Sequence, residues 1–223
     1  MEAPPIYRTT IGKKVLVAVT GIIGIGFVFA HMIGNLHAFE GPAQLDHYAE
    51  WLRTLAMPAL PRTVGLWLLR IVLIVSVVTH ITLTAQLAMR SRASRKNRYD
   101  DHDAVQASYA SRTMRWGGAA ILLFIIWHLM DLSWGVPSHF VRGAVYANTV
   151  ASFNNVPNTA IYLVAMVCLG MHLYHGTWSV FQTLGVNRSR WDRPIRWLAT
   201  TLALVISVGF SLVPLAVLVG VIS

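Results

Sequence analysis

Five apolar stretches, at about 15–39, 64–89, 116–136, 158–182 and 194–221, dominate this chain. Each is long enough to cross the hydrocarbon core of a bilayer, which takes about 20 residues of helix. Inside lipid every backbone polar group must be satisfied within its own segment, so stretches of this kind fold as helices. Hydrophobic residues make up 55% and charged residues 12% of the 223, outside the range of soluble domains. Little sequence is left over for a separate soluble unit. The expectation is a single all-α membrane domain over 1–223, with five transmembrane helices in a bundle. The first stretch follows Lys13 and Lys14 as the core of a signal peptide would, but it is too long for one and lacks a small-x-small cleavage site. It is read as a retained helix.

The net charge of +9 is unevenly placed. Arg8, Lys13 and Lys14 precede the first stretch. Arg90, Arg92, Arg95, Lys96, Arg98, Arg112 and Arg115 lie between the second and third, and Arg188, Arg190, Arg193 and Arg196 between the fourth and fifth. The opposite loops hold only Arg53, Arg62 and Arg142. Positive charge marks the cytoplasmic side, which puts the N-terminus and these basic loops in the cytoplasm and the C-terminus outside, in a multi-pass protein of the cell's inner membrane. The run RSRASRKNR, at 90–98, flanks a membrane helix and reads as a topology determinant that meets anionic lipid or a cytoplasmic partner, not as a nucleic-acid site.

Redox and nucleotide motifs are scarce. Cys168 alone forms neither an intramolecular disulfide nor a cysteine-ligated cluster. GIIGIG, at 21–26, has no strand before it and continues as membrane helix, so its glycines serve close helix or cofactor contact instead of a nucleotide. No flavin, nucleotide or serine-hydrolase motif and no internal repeat is present.

Histidine is the distinctive residue. His47, His102 and His139 fall in loops and His37 near the outer end of the first helix, whereas His31, His80, His128, His172 and His175 are intramembrane. An ionisable side chain there is costly and marks function by default. Depth follows from the helix rise of about 1.5 Å per residue. His31 is 17 residues beyond Lys14 and His128 is 13 beyond Arg115, roughly 25 and 20 Å from the cytoplasmic flank. His80 precedes Arg90 by ten residues and His172 precedes Gln182 by ten, roughly 15 Å from that flank. The pairs are therefore His31 with His128 in the outer half and His80 with His172 in the inner half. Two histidines at one level on different helices are what bis-imidazole haem ligation requires. Small residues flank them: Ala165, Cys168, Gly176 and Ser179 around His172, Gly24 and Gly34 near His31, Gly135 near His128, and Ser76 and Thr84 around His80. Such residues make a slot for a flat porphyrin, and they also serve ordinary helix packing.

The ordered set HMIGNLHAFEG (31–41), VTHITLTAQLAMRSR (78–92), IIWHLMDL (125–132) and HLYHGTWSVFQTLG (172–185) resembles the cytochrome b membrane anchor of succinate dehydrogenase and fumarate reductase, in its single-chain, five-helix, dihaem form. The resemblance spans essentially the whole chain. It implies a bundle enclosing two b-type haems, with axial ligands His31, His80, His128 and His172. It also implies a role carrying electrons between membrane quinone, menaquinone before ubiquinone, and a flavoprotein and iron–sulfur pair on the cytoplasmic side. Dicarboxylate chemistry would belong to those partners, so the chain does not itself transform succinate. Some members carry a carboxylate two residues before the helix IV ligand; here that position is Gly170, and a proton relay there has no support.

The inner haem, between His80 and His172, would face the iron–sulfur subunit and the outer one the quinone. Asp131, one turn beyond His128, and Arg70, about two turns into the second helix from its outer end, are buried charges that would pair with each other, with a propionate or with quinone. His175 shares a broad face with His172 but lies nearer the cytoplasm, where it would bond a haem edge or a helix carbonyl. The segment NRSRWDRPIRW, at 187–197, offers arginine and tryptophan to a docking subunit or to the lipid interface. Two other readings stay open: the anchor of a hydrogenase or nitrate reductase, and a haem-free transporter or channel using titrating histidines.

Overall fold

The computed structural model describes residues 9–93, 105–137, 140–186 and 188–223, and their side chains except at 105–113. Arg8, Arg95, Lys96, Arg98, His102, His139 and Asn187, together with the side chain of Arg112, lie outside the described residues. Among the described residues seven α-helices follow in order: α1 (Thr10–Leu36), α2 (Pro42–Arg53), α3 (Val64–Ala93), α4 (Val105–Leu132), α5 (Val145–Phe153), α6 (Val156–Thr183) and α7 (Ser189–Leu218). Five segments among them are long and apolar enough to cross a membrane: Thr10–Glu40, Val64–Ala93, Met114–Leu132, Val156–Thr183 and Ser189–Leu218. No strand occurs among the described residues. The chain is an all-α integral membrane protein with the five spans expected.

Local chemistry sets the helix ends. α1 begins five residues earlier than the apolar pattern, because the Thr9 hydroxyl caps the Gly12 amide at 3.0 Å. It tightens into a 3-10 turn over His37–Glu40. α4 stops at Leu132 instead of 136, since Gly135 takes a left-handed φ of +71° just before Pro137. α7 ends at Leu218, where Gly220 (φ +74°) lets the amides of Val221 and Ile222 reach back to the Ala216 carbonyl.

Contacts between helices establish that α1 runs antiparallel to α3 and α4 to α6. Buried Lys13 at the start of α1 donates to Gln86 near the end of α3. Trp127 near the end of α4 donates to Asn158 at the start of α6, at 2.8 Å. The packed pairs are α1 with α3, α4 with α6, α6 with α7, and α1 with both α6 and α7. Where α6 meets α7 the contact is made by small residues, with Gly170 against Ser207, and Ala199 and Ile206 fully buried. In lipid, close backbone approach of this kind replaces the hydrophobic drive of water. By contrast α3 presents Leu69, Ile71, Ile74, Val75 and Val78 outward, each more than half exposed, as a lipid-facing surface.

The two short helices, α2 and α5, were expected as loop. Both sit at the end of the bundle opposite the basic loops and close it. The amide of Tyr146 in α5 donates to Asp46 of α2 at 3.0 Å, and the Tyr146 hydroxyl reaches the carbonyl of Ser223. Beneath them Ala38, Leu45, Phe153, Tyr162, Val213 and Val217 form one buried cluster.

A candidate cofactor site of two imidazole pairs

The four expected histidines meet in the expected pairs. The ring centres of His31 and His128 are 5.9 Å apart and those of His80 and His172 are 6.3 Å apart. An imidazole nitrogen binds a metal at about 2 Å, and its ring centre lies about 1 Å behind, so a metal between two opposed imidazoles sets the centres about 6 Å apart. Both pairs stand at that spacing. The helices bearing them, α1 with α4 and α3 with α6, are not among the closely packed pairs. The rings thus approach across gaps that the backbones leave open, as a flat group edge-on between helices requires.

Hydrogen bonds fix the proton of one histidine in each pair. Thr20 in α1 donates its hydroxyl proton to the carbonyl of Leu16 at 2.8 Å, so its 3.1 Å contact with His80 Nδ1 has the imidazole as donor. Tyr162 in α6 donates to Asp131 Oδ2 at 2.8 Å, so its 3.3 Å contact with His128 Nδ1 has the same sense. In both rings Nδ1 carries the proton and Nε2 is left with a bare lone pair, the tautomer a metal-ligating histidine shows. Among the described residues His31 and His172 lack such a tether: His31 stacks on Phe27 at 5.4 Å and tilts on Phe210 at 5.7 Å, and the Nδ1 of His172 is buried with no hydrogen-bond partner there.

Some expected slot residues serve otherwise. A Cβ at Gly34 would meet the Tyr48 ring at 2.7 Å and one at Gly135 would meet the Phe140 ring at 2.7 Å, so these glycines admit local aromatics instead of a porphyrin. Glycines that do face the rings lie elsewhere: a Cβ on Gly21 would stand 3.5 Å from His80 Cε1, and one on Gly118 3.7 Å from His172 Cε1. Gly24 and Gly176 have open space beside them, as the slot reading expects.

Asp131 and Arg70 do not pair. Asp131 is 6% exposed and its Oδ2 accepts from Ser152 Oγ at 2.6 Å, Asn158 Nδ2 at 3.1 Å and Tyr162 at 2.8 Å. Arg70 is exposed on α3, its guanidinium 5.1 Å from the Trp67 ring centre. His175 contacts Tyr174 edge-on at 5.1 Å and joins neither imidazole pair. The basic segment 188–197, expected as loop, forms the first turns of α7 from Ser189 onward: Arg196 bonds Asp192 at 2.8 Å and lies over Trp178, while Arg188, Arg190, Arg193 and Trp197 are exposed.

Depth counting located the ligand candidates but missed Thr20, Ser152, Asn158 and Tyr162. Asn158 and Tyr162 stand one turn apart at the start of α6, and a polar pair at that spacing in a membrane helix was the signal available.

Neither a curated protein nor a solved structure matches the chain. Residues 89–208, which hold His128 and His172, match the succinate dehydrogenase/fumarate reductase transmembrane subunit family. The match covers more than half of the chain, which therefore belongs to this family of membrane subunits.

Proposed function

We propose that this chain is the dihaem cytochrome b anchor of a succinate:quinone oxidoreductase. One haem b would be held between His80 and His172 and a second between His31 and His128. The observation that carries this reading is the meeting of the four histidines in two pairs, 6.3 and 5.9 Å between ring centres. When bound, haem supplies a one-electron couple that neither helix nor side chain offers in this bilayer. The protein's part is to hold, orient and insulate. Thr20 and Tyr162 keep one Nε2 of each pair bare, while Phe27, Phe124 and Phe210 surround the outer pair with apolar rings.

Electrons would pass between an iron–sulfur subunit, itself joined to a flavoprotein, at the basic cytoplasmic end and quinone near the outer pair, with menaquinone the better match to a dihaem anchor. The exposed Arg188, Arg190 and Arg193 favour docking of the iron–sulfur subunit there. Arg70 and Asp131 remain the candidates for the quinone neighbourhood; Arg70 is the more accessible of the two. A reduced-minus-oxidised spectrum of the purified complex tests the reading, with a b-type band bleached by His80→Ala in part and by His80→Ala with His128→Ala in full. Absence of any such band contradicts it. Crosslinks from 188–197 to a co-purifying iron–sulfur subunit support docking; crosslinks to lipid alone oppose it.

A further inference from the structure

The outer pair sits on a chain of hydrogen bonds that has no counterpart at the inner pair among the described residues. Trp127 Nε1 donates to Asn158 Oδ1 at 2.8 Å, which turns the Asn158 amide so that its Nδ2 faces Ser152 Oγ at 2.7 Å and Asp131 Oδ2 at 3.1 Å. Ser152 donates to the same Asp131 oxygen at 2.6 Å. Tyr162 donates to it at 2.8 Å and receives from His128 Nδ1 at 3.3 Å. Asp131, Ser152, Asn158 and Tyr162 are all 8% exposed or less. No cation is ion-paired to Asp131 among the described residues. Three neutral donors therefore hold the carboxylate in place, and its polarising effect runs through the phenol to the imidazole.

We infer that Asp131, acting through Tyr162, is a positioning residue that fixes His128 with a bare Nε2 and makes that imidazole a stronger electron donor, lowering the potential of the haem held between His31 and His128. The inference rests on the dihaem reading above. A hydrogen bond from Nδ1 to an acceptor raises ligand basicity, and a basic ligand favours the ferric state. Tyr162 alone would be a weak acceptor, but its proton is committed to Asp131, which increases electron density on the phenol oxygen. The corresponding tether of His80 ends on Thr20 and a backbone carbonyl and carries no carboxylate. Removal of Asp131 should thus move one haem and leave the other alone.

The test is a potentiometric titration of the assembled complex, with low-temperature EPR of the ferric haems and a haem count, in Asp131→Asn, Tyr162→Phe and Asp131→Glu. The outer haem is identified as the one lost in His128→Ala. In Asp131→Asn and Tyr162→Phe the outer haem should become easier to reduce, by about tenfold in its oxidised-to-reduced ratio at fixed potential, which is about 59 mV for one electron. Its EPR signal should move while the inner one stays, and Asp131→Glu should restore both toward the parent values. Two retained haems with unmoved potentials and EPR overturn the inference. So does an equal shift of both haems, or loss of the outer haem in both variants with an unshifted potential in the fraction that keeps it. A parent complex without haem defeats the underlying reading instead, so the two failures are distinguishable.

Discussion

The outer imidazole pair is embedded in polar and aromatic structure, whereas the inner pair is framed by small residues. His128 leans on Tyr162, which Asp131, Phe124 and Phe153 hold on three sides. His80 and His172 instead face Gly21 and Gly118, and among the described residues the only side-chain tether there is Thr20. The same elementary device, two imidazoles brought together from helices that run the same way without packing closely, is therefore supported in two ways. At the outer level a hydrogen-bond network fixes the ring; at the inner level steric room does. The difference follows from position: the outer pair lies toward the end of the bundle that α2 and α5 close, while the inner pair lies toward the basic end, near the Lys13–Gln86 contact.

Replacing a ligand should give the largest effect. His172→Ala removes an axial bond no neighbour supplies, so haem content should fall from two per chain to one, whereas His175→Ala should keep both. A pyridine haemochrome assay of the two variants reads the outcome, and depletion in His175→Ala with normal content in His172→Ala would reverse the assignment.

The contrast between network and room should next appear in stability. Asp131→Ala strands the donors of Ser152 and Tyr162 in a buried place, at about 1–3 kcal/mol for each one left unsatisfied. Thr20→Val removes one tether and should cost about 1 kcal/mol. Thermal unfolding of the purified protein should therefore rank Asp131→Ala well below Thr20→Val; equal melting would dissolve the distinction.

Conversely, Gly118→Val should act on the inner level alone. Its Cβ would stand 3.7 Å from His172 Cε1, and the added methyls press on that ring or on anything beside it. Partial loss of the inner haem with the outer one intact is expected in the difference spectrum, and an unchanged spectrum would show that the glycine does not bound the site.

The smallest effect concerns the cap over the outer pair. Side-chain hydrogen bonds from Arg53 and Arg62 hold Glu50 of α2 below the usual carboxylate range. A carboxylate depressed on folding contributes stability that is present above its ordinary pKa and lost as pH falls through the folded value. Because the group is exposed, the contribution is slight. Melting of the parent protein should decline a little more on acidification than that of Glu50→Gln, with haem content the same in both.

The number of membrane spans and the pairing of four histidines were legible because hydropathy and rise per residue measure position along the membrane normal directly. Rotation about each helix axis was less so. Gly34 and Gly135 lie at the right separation from ligands yet make room for Tyr48 and Phe140, since spacing along one helix says nothing of what its neighbour brings. Asp131 was recognised as buried, but Arg70, its expected partner by charge, lies outward on α3, and three neutral donors from α5 and α6 take its place. The helices α2 and α5 were hidden for a different reason: at 12 and 9 residues they carry no membrane-length signal, and their stability comes from packing on one another and on the bundle.

Haem stoichiometry tests the central claim most directly. The purified complex, assayed for haem b by pyridine haemochrome against quantified polypeptide, should contain two haems per copy of this chain. Each pair should account for one of them: His31→Ala and His128→Ala removing the same haem, His80→Ala and His172→Ala the other. A count of zero, or a variant of one pair that removes the haem assigned to the other, would contradict the account.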